Sequence, residues 1–272
     1  MVNDVPRNQA IEKSIAAMNL EGKTVVEIGS GTGLIALLFA KYGAARVITC
    51  EMNTNLAAVA QRIITSTPYA NRITLINESS KAAISKGLLP FHPDVIFTET
   101  LDCGVVGEGF MPIADDITAI AGPQSIVMPR NVRQHARLIE SESLANLNRA
   151  STACGFDLAA LNEYSTGNYF PVHTELHRHR FLSETTEVRD YTYLNCQEAS
   201  IHRVKATSTG MINGVLSWFS ADFGGAILSN EPGSGSHWHQ AFHTMPDEIQ
   251  VEEGEELSLH IDDGGFAWVT RS

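Results

Sequence analysis

The chain has 272 residues, of which 43% are hydrophobic and 18% charged, enough for one large or two modest globular domains with a real core. Its formal net charge is −12 at pH 7, which argues against nonspecific binding to nucleic acid or anionic membrane and suits a cationic substrate. No stretch is long and apolar enough to span a bilayer, no basic-then-apolar leader opens the sequence, and the 4 cysteines (Cys50, Cys103, Cys154, Cys196) form no Cys-x-x-Cys pair, so they read as reduced thiols of a cytoplasmic protein.

The first half alternates strand-like and helix-like segments. T-V-V-E-I (24–28), R-V-I-T-C (46–50), R-I-T-L-I (72–76) and D-V-I-F-T (94–98) are short β-rich runs. Helix-patterned stretches lie between them near 33–42, 54–67 and 80–87. Strand, helix, strand at this spacing predicts βαβ units in a parallel, doubly wound sheet, and the short apolar strands fit burial on both faces. The pattern changes near M-P-R-N-V (128–132). Beyond it the runs 133–139, 187–194, 214–223, 256–261 and 266–270 alternate apolar and polar residues, which predicts antiparallel strands of a sandwich or barrel. Residues 141–164 read as more helical and polar, and the acidic run 247–256 as a solvated connection. The expected division is therefore residues 1–129 and 130–272, packed closely, with no low-complexity linker between them.

The first strand runs into V-V-E-I-G-S-G-T-G-L-I-A-L, where Gly29, Gly31 and Gly33 form a G-x-G-x-G turn entering a helix. Glycines permit tight geometry and let a ligand approach the main chain. The acid Glu27 precedes the turn, and the third glycine comes earlier than in the G-x-G-x-x-G phosphate turn. A ligand with an amino group and no pyrophosphate suits that acid. The second strand ends at Glu51, placed to take ribose hydroxyls, and the third ends in N-E-S-S, where Ser79 and Ser80 could meet an adenine edge. Together these residues resemble the S-adenosylmethionine-dependent methyltransferase fold. A structural glycine turn beside a capping acid is the plainer alternative.

The fourth strand ends in T-E-T-L-D-C-G-V-V-G-E-G-F. In a doubly wound sheet that end faces the reacting group. The Asn/Asp-Pro-Pro-aromatic stretch common in enzymes that methylate nucleobase or carboxamide nitrogens is missing; Glu99 and Glu108 stand there instead. Two carboxylates suit a guanidinium, a planar cation with five donors in a fork. They would hold it, offset its desolvation and pull its positive charge to one side, leaving another nitrogen richer in electron density.

On these motifs the sequence resembles the protein arginine methyltransferase family along nearly its whole length. E-T-L-D-C-G-V-V-G-E is similar to the family's double-glutamate loop, and S-H-W-H-Q (236–240) to its threonine-histidine-tryptophan loop, with Ser236 for threonine. G-E-G and N-D-V-P-R-N look nearest the monomethylating, type III-like branch. The resemblance implies a Rossmann-like methyltransferase domain followed by an antiparallel β-barrel-like domain, with S-adenosylmethionine as cofactor. By the same resemblance Arg7 would hold the cofactor carboxylate, assisted by backbone around Thr32. Glu27 would face the methionine amino group and Glu51 the ribose. Glu99 and Glu108 would clamp the substrate guanidinium. His237 would pair with Asp4 and assist proton departure, and Trp238 would help form the substrate wall. Some features depart from the family. The helices that fold over the cofactor precede the point where this chain starts, so that lid is expected to be missing, shortened or supplied otherwise. The family tyrosine four residues after the arginine is Ile11. The dimerisation arm of the expected homodimer is placed at 141–172, on Phe156, Tyr164, Tyr169 and Phe170.

The histidines His173, His177, His179, His237, His239 and His243 invite a metal site, since His-x-His on a strand points both rings to one face. No recognisable set of carboxylates or cysteines completes them, so hydrogen-bonded or exposed histidines and no metal are expected. The leading function is arginine Nω-methylation in proteins or peptides. Methylation of free arginine or another small guanidine is the second reading, and an inactive fold used as a binding module the third.

Overall fold

The computed structural model describes residues 1–195 and 199–271. The first part contains α1 (Val5–Ala16), β1 (Thr24–Ile28), α2 (Leu34–Lys41), β2 (Arg46–Cys50), α3 (Thr54–Thr65), β3 (Ile73–Ile76), α4 (Ser80–Ser85), β4 (Val95–Thr98), α5 (Phe110–Ile120) and β5 (Ile126–Met128). The five strands form one sheet in the order β3-β2-β1-β4-β5, and all its pairings are parallel. Val25, Val26, Val47, Ile48, Val95 and Ile96 are at most 2% exposed, which is why these strands read as continuous apolar runs rather than alternating ones. The chain order reverses between β1 and β4, and that reversal opens a crevice beyond the carboxyl ends of the strands.

The second part begins with β6 (Asn131–Glu140) and α6 (Glu142–Ala145). A small hairpin follows, made of β7 (Thr152–Ala153) and β8 (Phe156–Asp157), and then β9 (Phe170–Val172), β10 (Arg180–Phe181), β11 (Thr186–Tyr191) and β12 (Ser200–Lys205). The chain ends with β13 (Gly210–Asp222), β14 (Ile227–Ser229), β15 (Gln240–Val251), β16 (Glu256–Ile261) and β17 (Ala267–Arg271). One antiparallel sheet runs β10-β6-β13-β15-β9, with β11 on β6 and β14 on β13; another runs β12-β16-β17. Both sheets contribute to one core, including Leu138, Val188, Val215, Leu257 and Val269. At Gly214 the strands approach so closely that a Cβ would lie 2.5 Å from the Phe242 ring and 2.7 Å from the His243 carbonyl oxygen.

The two parts share their largest core. Phe97 of β4 meets Phe223 with ring centroids 5.8 Å apart, and Phe110 of α5 stacks on Tyr193 at 4.3 Å. Each such ring contributes about 1.5–3 kcal/mol through its burial. This aromatic seam fixes the crevice against the antiparallel sheets.

Several segments differ from expectation. The acidic run 247–256 is not all connection: β15 extends to Val251, with Val251 buried and Ile249 packed on the core while Asp247 and Glu248 face out. Residues 141–164 hold one short α-helix, the β7–β8 hairpin and 3-10 turns, because residues 151–164 have no buried side on which a longer helix could dock. Cys50 and Cys103 are buried free thiols and Cys154 is an exposed one. The reading of Cys196 as a reduced thiol lies outside the described residues.

Candidate active site

The glycine turn is built for backbone approach. Gly29, Gly31 and Gly33 have φ of +86°, +53° and +81°, values that L side chains rarely adopt. Gly33 caps α2, and a Cβ there would press Ile64 at 3.3 Å. Thr32 sits between two of these glycines, half-buried at the mouth of the turn. Glu51 braces the loop from the end of β2: its Oε2 accepts from Gly31 N–H at 3.0 Å and its Oε1 from Asn53 N–H at 2.8 Å. Those contacts leave lone pairs free, as a ribose ligand requires.

Glu27 is 1% exposed, and its Oε2 has no hydrogen-bond partner. Burial pushes its carboxyl up to about 8, with the nearby Glu51 charge adding to the rise and the Thr49 hydroxyl and Arg7 opposing it. A buried carboxylate in that condition is stabilised by a cation placed against it. Arg7 comes from α1, whose N-cap is Asp4; the Asp4 carboxylate accepts from Arg7 N–H at 3.0 Å. The Arg7 guanidinium is buried and lowered to about 10 by that burial, against the attraction of Asp4 and Glu27. It forms an ion pair with Glu99, while its Nε and Glu99 Oε1 remain unpartnered. The orphaned Arg7 Nε and Glu27 Oε2 fit the carboxylate and ammonium of an amino-acid moiety. The described residues therefore fit S-adenosylmethionine beside the glycine turn.

Glu99 follows β4 and its side chain is 4% exposed, whereas Glu108, just before α5, is exposed and lines the crevice. Although its side chain is open to solvent, partial desolvation by the surrounding loop raises the Glu108 carboxyl above its ordinary range, and the Asp102 charge adds to the shift. The loop between the two is organised by Asp102, whose Oδ1 accepts from Gly104 N–H at 3.1 Å and Gly107 N–H at 3.0 Å. The Tyr169 hydroxyl also bonds Asp102, and its pKa is raised, first by burial and then by that carboxylate. Val105 is fully buried at φ +83°, an unfavourable conformation for a β-branched residue and a sign that the loop shape is imposed by its surroundings.

His237 stands beside Asp4, with Nδ1 2.7 Å from Asp4 Oδ2. The Nδ1–H therefore points to Asp4 and Nε2 is left as an acceptor when the ring is neutral. Burial lowers the His237 pKa, with Asp4 partly offsetting it. For Asp4 burial acts upward, but bonds from Arg7 N–H and from His237 hold it below the usual carboxylate range. Trp238 is 7% exposed and packs edge-on against Phe219 at 5.3 Å, so it supports the loop from behind rather than standing open as a wall. His243 is wholly buried, accepts from Ala267 N–H at 2.9 Å and lies 2.8 Å from the Ser217 hydroxyl; burial lowers it to about 3, so it is a neutral core histidine.

A cavity of about 850 Å3 joins the glycine turn to Glu108. Ser79 and Ser80 line it, but Ser79 caps α4 through Ala82 N–H at 3.2 Å and Ser80 donates to Asp116 at 2.5 Å, so both hydroxyls already have partners. Asp116, Asp115 and Glu78 also line the cavity and were not singled out from the sequence. Glu78 stood one position before the serines in N-E-S-S, but the two aspartates gave no sequence signal, because they lie on a helix that the sequence pattern did not reveal.

A parallel sheet with an acid-flanked glycine turn facing a double-glutamate loop defines an S-adenosylmethionine-dependent methyltransferase. A family model described as the arginine methyltransferase oligomerization subdomain matches residues 133–263. The chain is 35% identical over 267 residues to an arginine N(omega)-methyltransferase of Streptomyces achromogenes subsp. streptozoticus, covering 96% of this chain and 74% of that one. It is 25% identical over 284 residues to the histone-arginine methyltransferase CARMER of Drosophila willistoni, spanning 96% of this chain but 52% of the relative. Its fold matches the Trypanosoma brucei PRMT1 enzyme-prozyme heterotetrameric complex with AdoHcy at a TM-score of 0.82, 18% identity and coverage of 96% and 86%. It also matches Arabidopsis thaliana protein arginine methyltransferase 10 at a TM-score of 0.78, 19% identity and coverage of 99% and 89%. The chain belongs to the arginine methyltransferase family, and it is an S-adenosylmethionine-dependent arginine N-methyltransferase.

Proposed function

We propose that the chain transfers one methyl group to a guanidino nitrogen of arginine carried in a protein or peptide. The supporting observation is the Glu99–Arg7 pair: the carboxylate at the substrate end of the sheet already binds a guanidinium and keeps a second oxygen unpartnered. S-adenosylmethionine supplies an electrophilic methyl group on sulfur. Arg7, Glu27 and Glu51, with the Gly29–Gly33 turn around Thr32, hold and orient the cofactor, and Ser79 and Ser80 close its adenine side. Glu99 and Glu108 grip the substrate guanidinium and draw positive charge away from the attacking nitrogen. As the methyl–sulfur bond breaks, with its electron pair left on a neutral thioether, the nitrogen that forms the new N–C bond loses one proton, and Nε2 of His237, held by Asp4, receives it.

A second reading is methylation of free L-arginine. One observation favours it: the Streptomyces relative, which aligns with 96% of this chain, is named for arginine itself, while CARMER is named for histone arginine. Labelled cofactor offered in parallel to free arginine, an arginine-rich peptide and a protein extract separates the two. Label in peptide and extract supports the first reading; label confined to free arginine replaces it with the second; no label in any acceptor contradicts both.

We propose further that the protein acts as a homodimer in the cytoplasm. Residues 151–164 are exposed throughout, with Phe156 at 71%, Leu161 at 55% and Tyr164 at 81%, an apolar content that a partner's surface would cover. The matched oligomerization subdomain and the heterotetrameric Trypanosoma brucei relative support the pairing. A monomer mass by sedimentation across micromolar concentrations would refute it.

A further inference from the structure

We infer that Asn230 is a positioning residue for methyl transfer, registering the loop that carries His237 against the loop that carries Glu99 and Glu108 by donating one amide hydrogen to the backbone of each. Asn230 is 0% exposed. Its Nδ2 donates to the carbonyl of Cys103 at 3.2 Å, inside the double-glutamate loop, and to the carbonyl of His239, two residues after His237. Its Oδ1 accepts from Phe219 N–H of β13 at 2.6 Å. Both donors and an acceptor of one buried amide are therefore committed to three separate backbone segments.

The location gives these bonds a role beyond satisfying a buried group. Asn230 and Gln240 form the neck of the loop 231–239. Gln240 Nε2 donates to the Asn230 carbonyl at 2.8 Å, while its Oε1 accepts from the Thr174 hydroxyl at 2.8 Å. The loop beyond the neck is E-P-G-S-G-S-H-W-H, with Gly233 and Gly235 in left-handed conformations and exposed residues at its tip. Such a segment has little stiffness of its own. Asp4 orients the His237 ring and Trp238 packs the loop on Phe219, while the neck sets where the loop meets the double-glutamate loop, being tied to Cys103, four residues from Glu99 and five from Glu108. Proton acceptance at His237 and guanidinium capture at the glutamates require a fixed separation of the two loops, and Asn230 bonds both. The inference rests on the roles proposed above for Glu99, Glu108 and His237.

Asn230→Asp keeps the shape and the acceptor for Phe219 but removes both donors. Asn230→Ser keeps one possible donor and serves in its place if the aspartate variant does not fold. Wild-type transfer to arginine is measured first and tests the proposed reaction separately. For the variant we expect kcat per folded molecule to fall about 10- to 100-fold, the range for loss of one to two buried hydrogen bonds, with the cofactor Kd within about threefold. In a His237→Gln background the same substitution should cost less than about threefold, because there is no longer a histidine to register. A residue of merely structural importance lowers the unfolding temperature and leaves kcat per folded molecule unchanged. That result, or an equal loss in both backgrounds, overturns the inference.

Discussion

The Arg7 guanidinium and the Glu99 carboxylate form an ion pair whose side chains are 5% and 4% exposed. It ties α1, at the cofactor end, to the residue that follows β4, at the substrate end. A buried pair is costly to break from one side, because the remaining charge is stranded. Arg7→Ala should therefore lower unfolding free energy by about 3–5 kcal/mol and raise the cofactor Kd at least about tenfold. Adding Glu99→Gln should restore much of the lost stability. Strictly additive losses in denaturant unfolding would show that the two side chains do not interact.

Glu108→Gln keeps the shape and an acceptor but removes a charge. Turnover should fall by roughly 100-fold or more, the range for loss of one electrostatic stabiliser. Cofactor affinity should stay within a few-fold. Glu99→Gln should act in the same direction, and single-turnover transfer beside a binding titration measures both. Wild-type transfer by either variant would remove the clamp.

Glu27 makes stability depend on pH. Its folded pKa, about 8, lies above the 4.5 of a free glutamate, so between those values the folded chain binds more protons than the unfolded one. Stability on this account is fully present below about pH 4.5 and is lost as pH rises through about 8. Without cofactor, Glu27→Gln should unfold at nearly the wild-type temperature in acid and at a progressively higher relative temperature toward pH 8 and above. A temperature difference that stays flat with pH would mean that Glu27 is not buried as described.

Asp4→Asn keeps the cap on α1 and an acceptor for His237 but loses the charge that raises the histidine's pKa. That pKa should fall further. If the neutral ring accepts the proton as proposed, activity should be lost as pH drops through this pKa, and the acid limb of the kcat profile should move to lower pH. The plateau should fall about 10-fold or more as the ring loses its anchored orientation. An acid limb that moves to higher pH would contradict the assigned pair.

The parallel sheet and its ligand turn were readable because their causes are local. Strands buried on both faces must be apolar throughout, and a turn of left-handed glycines admits few substitutes. The double-glutamate loop was readable because two glutamates bracketing a small, largely apolar segment are conspicuous. Helix α5 was hidden by Pro112, which reads as a breaker but sits in the first turn, where its missing N–H is not needed. Strand β15 was partly hidden by outward acids that mask the inward Ile249 and Val251. Asn230 gave no signal: one amide bond reaches 127 residues back and the other 9 forward.

Asp4 and His237 touch across 233 residues of sequence. During synthesis the N-terminal helix and glycine turn emerge first, and at about 5–20 residues per second the histidine follows the end of the parallel sheet by roughly ten seconds. A nascent or truncated chain ending before His237 holds the glycine turn and both glutamates but lacks the side chain proposed to accept the proton. On the proposed roles, methyl transfer would wait until the strands that flank the His237 loop, β14 and β15, have been made and paired with β13.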